Sequence, residues 1–194
     1  MGKTITRAFY RLILTAALLA ACGGARADFQ DGLEAYNSGN YLLAFDEFRA
    51  LALNGDAAAQ YRLGVMYTKG QGVPKDDKQA ASWYLKAAEQ DDTRAQFAVA
   101  EMYAKGQGVP QDDKQSAQWY LKAADHGLPK AQYTAGLMYA RGQGVPQDFI
   151  QAHKWLCLAG DMAVSSKGWI EERMTPEQIK KAQVLVQEWL AKYK

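Results

Sequence analysis

The chain has 194 residues, of which 48% are hydrophobic, and this length is sufficient for one ordinary domain with a buried core. Its formal net charge is +2, but all 21 acidic residues lie at or after Asp28, whereas four of the 23 basic residues precede it. The part from Asp28 onwards therefore has 19 basic and 21 acidic residues, a net charge of −2. We expect no nucleic-acid partner, because nucleic-acid-binding domains usually carry a basic surface.

Residues 1–27 have the organisation of an export signal. Basic residues come first, and an apolar segment from Leu12 to Ala21 follows that is too short to span a membrane. The small residues Ala25 and Ala27 predict cleavage before Asp28, which makes residues 1–27 a signal peptide.

A second cleavage site is also compatible with this leader. The segment Leu19-Ala20-Ala21-Cys22 resembles the lipobox of bacterial lipoproteins, whose cysteine is lipid-modified and becomes the mature N-terminus. On this alternative, residues 1–21 are a lipoprotein signal and Cys22 is lipidated. Both alternatives predict an exported, periplasmic protein, and only the second predicts a membrane anchor.

The rest of the chain repeats with a period of 36 residues. Residues 57–92 and 93–128 share 21 identities in 36 positions, and the segment GQGVP occurs three times. Its glycines and prolines form the structural motif of the repeat: Gly70, Gly72, Pro74, Gly106, Gly108, Pro110, Gly142, Gly144 and Pro146. The motif lacks the third glycine and the Gly-Lys-Ser/Thr ending of phosphate-binding loops, so we interpret it as a turn between helices.

Each unit is predicted to form two helices. The first runs from about Ala57 to Lys69 and ends at Gly70 in a left-handed conformation. The second begins after Asp76 as N-cap, with Gln79 three residues later in a pattern like a capping box. Such a hairpin cannot bury its apolar face alone, so neighbouring hairpins are expected to stack.

This stacking predicts an all-α fold, an α-solenoid of antiparallel helix hairpins wound as a right-handed superhelix with first helices lining its concave face. The expected divisions are a divergent leading hairpin over 28–55, three repeats and a C-terminal part with a capping helix that starts at Thr175. The repeats cover 56–92, 93–128 and 129–164, and the C-terminal part covers 165–194.

The repeat resembles the Sel-1-like family, a branch of the tetratricopeptide-type helical repeats. The matching residues are Ala59-Gln60-Tyr61-x-Leu63-Gly64-x-Met66-Tyr67, Gly70-Gln71-Gly72-Val73-Pro74-x-Asp76, Ala80, Trp83, Tyr84 and Ala87-Ala88. Ala100 and Leu156 depart from the pattern in the later repeats. The resemblance implies a scaffold for protein or peptide partners, in a family that acts in bacterial envelope processes, signalling and host contacts.

His153 and Cys157 are the pair that most suggests chemistry, because residues four apart share a helix face. However, Cys157 occupies the column of Leu85 and Leu121, which predicts burial, and the sequence places no third group beside the pair. We therefore expect no catalysis, metal or cofactor there. His126 is expected to be a helix-end residue.

Two charged patterns also have a structural explanation. In Asp76-Asp77 and Asp112-Asp113, one aspartate of each pair is expected to cap a helix, and the calcium-loop pattern is missing. Lys69, Lys105 and Arg141 end successive first helices, where they compensate the helix dipole. The alternative for this column is a basic row that meets an acidic partner.

Three first-helix columns vary between repeats, and their spacing of three to four residues puts them on one face. The predicted partner contacts are Arg62, Val65, Arg94, Glu101, Lys130, Thr134 and Leu137. We predict a non-catalytic scaffold of the cell envelope that binds a protein or peptide. One alternative is an effector that binds a host protein. The other is a hydrolase of β-lactam or cell-wall substrates, which is suggested by cysteine-rich relatives of these repeats. Those relatives have a disulfide in each repeat, whereas the repeats of this chain contain a single cysteine, Cys157.

Overall fold

The computed structural model describes residues 28–193, so the predicted leader with Cys22 lies outside the described residues. Ten α-helices and one 3-10 helix follow one another there without a β-strand. The helices are α1 (Phe29–Asn37), α2 (Tyr41–Leu53), α3 (Ala57–Lys69), α4 (Asp77–Ala88), α5 (Thr93–Lys105), α6 (Asp113–Asp125), α7 (Pro129–Arg141), α8 (Phe149–Leu158), the 3-10 helix Gly160–Ala163, α9 (Val164–Glu171) and α10 (Pro176–Lys192). None of these helices is long and apolar enough to cross a bilayer.

The first eight helices form four consecutive antiparallel hairpins, α1–α2, α3–α4, α5–α6 and α7–α8. Each helix packs against its partner in the hairpin, and each second helix packs against the first helix of the next hairpin. The predicted all-α solenoid of stacked hairpins is therefore confirmed.

The helix ends follow the local sequence. Gly70 ends α3 at φ 68°, in the left-handed region that glycine adopts without strain. The Asp76 carboxylate accepts hydrogen bonds from the backbone N–H groups of Lys78 and Gln79 at 2.9 and 3.0 Å. The Gln79 side chain does not return the bond of a full capping box, which among the described helices forms only at Thr175, the start of α10.

The second glycine of each GQGVP segment is in contact with the preceding hairpin. At Gly108, with φ +70°, a Cβ would overlap the carbonyl oxygen of Asp77, the first residue of α4. Gly72 lies in the same way against Tyr41 of α2, and Gly144 against Asp113 of α6. Glycine is required at these positions for two reasons: the backbone has a positive φ, and the neighbouring backbone is too close for a Cβ.

A buried glutamine makes a second contact between hairpins. The Gln96 side chain is 0% exposed, and its Nε2 donates to the carbonyl of Ala88, in the last turn of α4, at 3.3 Å. Gln60 donates to Ala52 and Gln132 to Ala124 in the same way, at 3.1 and 3.2 Å. Each bond satisfies the side-chain N–H of the glutamine and a carbonyl of the preceding hairpin, which would otherwise carry a desolvation cost.

Small residues permit close packing inside the hairpins. A Cβ at Gly64 would lie 2.5 Å from Cδ1 of Tyr84, so the two helices approach closely where the ring crosses the glycine. In the third repeat Leu156 replaces the tyrosine, and its Cγ would lie 2.7 Å from a Cβ at Gly136. In the second repeat the departure at Ala100 is accommodated with that residue fully buried.

The stretch after α8 is more ordered than the sequence predicts, because 165–194 holds most of α9 as well as α10. Ser165 and Ser166 are weak helix formers, so the sequence does not predict α9. Long-range contacts hold it instead: Ile170 is 1% exposed, and the ring of Trp169 packs edge-on against Phe149, with centroids 6.4 Å apart. Helix α10 packs along α8, and its Ala182 is fully buried.

Replacing Gly108 with alanine is expected to destabilise the fold, because the new Cβ would overlap the main chain of Asp77. Gly39→Ala is the matched control, since its φ is +81° and no atom lies within 4 Å of the added Cβ. The control carries only the left-handed conformational cost, about 1–2 kcal/mol. We expect Gly108→Ala to lower the free energy of unfolding in urea by a further ~1–3 kcal/mol. An equal loss of stability in Gly108→Ala and Gly39→Ala would contradict a close backbone contact at Gly108.

Candidate functional site

The predicted partner contacts lie on α3, α5 and α7, the first helices of the three repeats. None of the seven side chains is fully buried: Arg62, Val65, Arg94, Glu101, Lys130, Thr134 and Leu137. We refer to these seven positions as the first-helix face. Whether this face binds a partner stays a prediction.

Two arginines of the first-helix face lie over tyrosine rings. The guanidinium carbon of Arg62 is 5.8 Å from the ring centroid of Tyr36, and that of Arg94 is 4.6 Å from Tyr61. Arg94 also pairs with Asp92 at 2.6 Å, and this hydrogen bond raises the pKa of the guanidinium. These contacts restrict the two side chains while leaving part of each available to solvent.

Other residues of the first-helix face interact with residues of their own helix. Glu101 pairs with Lys105 at 3.2 Å, an exposed i,i+4 pair of the kind that contributes little to stability. The hydroxyl of Thr134 donates to the carbonyl of Lys130 at 2.9 Å. Leu137 differs from these polar residues because it lines a cavity.

That cavity lies between α7 and α9 and has a volume of about 310 Å³, near the lower end of the range for small-ligand sites. We call it the α7–α9 cavity. It is lined by Leu137, Ala140, Arg141, Ser165, Ser166, Trp169 and Ile170. Its lining thus includes Leu137, from one of the varying columns, and Arg141, from the basic column. The sequence could not place its second wall, because α9 itself was not predicted.

His153 and Cys157 are in contact, and the structure adds a third group that sequence reasoning missed. Nδ1 of His153 lies 3.5 Å from Sγ of Cys157, and Nε2 lies 2.8 Å from Oε1 of Glu171 in α9. The imidazole is 1% exposed. Glu171 is 18 residues from His153 in sequence, so no helical spacing could have paired them.

The environment of this trio favours a structural role. Cys157 is only partly buried, less than its column in the sequence predicts. This partial burial still raises the pKa of the thiol, whereas a nucleophilic cysteine needs a lowered pKa. The carboxylate of Glu171 joins α9 to α8 through the buried His153 ring. Within residues 28–193, no group of three or more His, Cys, Asp or Glu side chains is arranged to hold a metal ion.

The remaining charged residues take the structural positions that the sequence predicts. His126 is the exposed C-cap of α6, with Nδ1 3.4 Å from the hydroxyl of Thr93. Asp76 and Asp112 are N-caps; their neighbours Asp77 and Asp113 are near Lys75, at 3.8 Å, and Gln143, at 3.4 Å. The basic column Lys69, Lys105 and Arg141 occupies the last position of α3, α5 and α7.

The family model of the Sel1 repeat matches residues 57–92, 93–128 and 129–164, which is more than half of the chain. This chain belongs to the Sel1 repeat family. The matched segments are the hairpins α3–α4, α5–α6 and α7–α8, joined by GQGVP turns. The leading hairpin and residues 165–194, with α10 and all of α9 but its first residue, lie outside the Sel1 repeats.

Two solved structures are similar to this Sel1 repeat chain. A Sel1 repeat protein from Oxalobacter formigenes is 33% identical with a TM-score of 0.70, over 73% of this chain and 60% of that one. A protective antigen present in uropathogenic Escherichia coli strains, with an SLR fold, is 32% identical with a TM-score of 0.49, over 78% of this chain and 41% of that one. The chain thus spans less than two thirds of either relative. No curated protein matches it.

The Cys157 thiol of this Sel1 repeat chain is expected to react slowly with the thiol reagent DTNB at neutral pH, because partial burial limits access to it and raises its pKa. The Cys22→Ser variant is used, so that Cys157 is the only thiol. The rate should be well below that of the urea-unfolded chain and should rise above pH 9, the ordinary pKa of the thiol. A neutral-pH rate equal to that of the unfolded chain would contradict the structural role.

Proposed function

We propose that this chain is a non-catalytic scaffold that binds a protein or peptide through the first-helix face. Sel1 repeat proteins serve as protein-interaction scaffolds, and this chain has three such repeats. The observation that carries the proposal is the separation of two sets of positions within each repeat. Residues that recur at the 36-residue period hold the hairpins together, whereas the varying residues on α3, α5 and α7 retain exposed surface.

The side chains and glycines at the recurrent positions make the contacts that hold the hairpins together. Gln96 binds the preceding second helix and Gly108 contacts its first residue, so neither is available to a partner. Among the varying positions, Arg62 and Arg94 lie over tyrosine rings of the preceding hairpin, and Val65 packs on a core cluster that α4 shares with α5. Substitutions on this face leave the glycine and glutamine contacts between hairpins intact, so the face can change its partner without loss of the stack.

The chemistry of the face also suits recognition of a polypeptide. Arginine and tyrosine are enriched among the residues that contribute most to protein–protein binding, and both occur together at Arg62 with Tyr36 and Arg94 with Tyr61. Each guanidinium is already held against a ring in the free protein. Less side-chain freedom is therefore lost when a partner binds, which lowers the entropic cost of the complex.

We further propose that the scaffold acts outside the cytoplasm, in the periplasm or on a membrane to which Cys22 anchors it. The basic start of the leader, its short apolar segment and its two compatible cleavage sites support this location. The contact between His153 and Cys157 gives no support to the hydrolase alternative, because the Cys157 thiol has a raised pKa. A host-protein effector would use the same first-helix face.

Photo-crosslinkers attached to cysteines at 62, 98 and 134 are expected to capture a discrete partner in cells, because these positions share one column of the first helices. Ser82→Cys and Gln118→Cys provide matched controls, since both side chains are exposed on second helices and occupy one column of the repeat. Capture from the first-helix positions should exceed capture from the controls several-fold. Equal capture from both sets would refute the binding face.

Mass spectrometry of the mature N-terminus, combined with fractionation, tests the location. Export predicts either an unmodified terminus at Asp28 in the soluble envelope fraction or a lipidated Cys22 in the membrane fraction. In the second case Cys22→Ser should release the protein from membranes, whereas the control Cys157→Ser should not. A cytoplasmic protein that retains Met1 would contradict export.

A further inference from the structure

The α7–α9 cavity combines an apolar interior with an unneutralised positive charge. Leu137, Ala140 and Ile170 supply aliphatic surface, and Trp169 contributes an indole that is 46% exposed. Arg141 stands in the lining with no carboxylate within 4.0 Å among residues 28–193. The cavity therefore complements a ligand that carries one apolar group and one negative charge close together.

Other charges near the cavity are already paired. The ammonium group of Lys167 lies 3.8 Å from Glu171, and the guanidinium of Arg173 lies 3.5 Å from Glu172. Arg173 also donates to the carbonyl of Trp169 at 2.7 Å and lies 3.8 Å from the centroid of that ring. Within the described part of the chain, Arg141 is thus the cation at the cavity that is free to meet an incoming anion.

The cavity arises because the array ends here. In the first repeat the corresponding apolar residue, Val65, packs against a core cluster that α4 shares with α5, the first helix of the following hairpin. After the third repeat the chain continues as α9, which has 8 residues where each preceding repeat continues into a first helix of 13. The shorter helix leaves the surface beside Leu137 uncovered, and the cavity occupies that space.

We propose that the α7–α9 cavity binds the carboxy-terminal residue of a partner polypeptide. The apolar side chain of that residue enters between Leu137 and Trp169, and its terminal carboxylate pairs with the guanidinium of Arg141. Guanidinium and carboxylate groups are matched for two parallel hydrogen bonds. The hydroxyl of Ser165 in the lining is an additional donor, whereas that of Ser166 lies 3.3 Å from the hydroxyl of Tyr133. This inference rests on the proposed function, because it takes the partner to be a polypeptide.

The size of the cavity favours a chain terminus over an internal acidic segment. At about 310 Å³ the cavity is near the lower end of the range for small-ligand sites, and Arg141 shares its lining with the aliphatic residues. A single residue that carries both an apolar bulk and a carboxylate meets both features at once. Aspartate and glutamate lack the apolar bulk, and an internal apolar residue lacks the carboxylate. A carboxy-terminal leucine or phenylalanine has both.

Fluorescence polarisation with three peptide pools, randomised upstream, tests this site on the folded protein. The pools end in leucine with a free carboxylate, in leucine amide, and in glycine with a free carboxylate. The leucine acid pool should bind roughly tenfold or more tightly than either of the others, since each of these lacks one of the two recognised groups. Equal binding of leucine acid and leucine amide, or no binding of any pool, would overturn the proposal.

Arg141→Gln should abolish the difference between leucine acid and leucine amide. The matched control is Lys69→Gln, because Lys69 ends α3 at the corresponding position and is not among the residues lining the cavity. A persistent acid preference in Arg141→Gln would also overturn the site. If the cavity fails these tests while crosslinkers at 62, 98 and 134 still capture a partner, the scaffold proposal stands without it. Failure of both would remove both proposals.

Discussion

The contact between two backbones at the second glycine of GQGVP is the constraint on which the solenoid depends. Gly72, Gly108 and Gly144 each lie against the first residue of the preceding second helix, at a separation that excludes a Cβ. The buried glutamines bind the last turn of the same helices. Each junction is therefore held at both ends of a second helix, which defines the distance and the rotation between neighbouring hairpins.

The end of the array shows what happens where this contact is missing. Phe149 begins α8, as Asp77 begins α4 and Asp113 begins α6, but no GQGVP segment follows it. The ring of Trp169 packs against Phe149 instead, and Glu171 reaches the buried His153. Side chains thus replace a glycine contact at the last junction. Beside them the α7–α9 cavity remains open, because a short helix follows where a full first helix would close it.

Much of the fold is encoded in local sequence patterns. The 36-residue period, Gly70 as helix end and Asp76 as N-cap all depend on residues within a few positions of one another, and each is found as expected. The role of Gly108 was only half predicted. A turn glycine can be recognised from sequence, but its approach to Asp77 depends on the neighbouring hairpin.

The site was less predictable for the same reason. Helix α9 contains weak helix formers and is held by contacts with α8, so its sequence gives little sign of it. Because the sequence does not predict α9, neither the contact of Glu171 with His153 nor the place of Trp169 in the cavity lining could be inferred from it. Leu137 and Arg141 were identifiable from their columns, but not as members of one cavity.

Hydrogen exchange of the Gly144→Ala variant, followed by mass spectrometry, tests the central claim most directly. If the backbone contact holds the hairpins in register, protection should fall at the start of α6, where Gly144 meets Asp113, and in the adjoining α7–α8 turn. Protection in α1 and α2, which lie far from this junction in the stack, should be unchanged. Unaltered protection at the start of α6 would contradict the account.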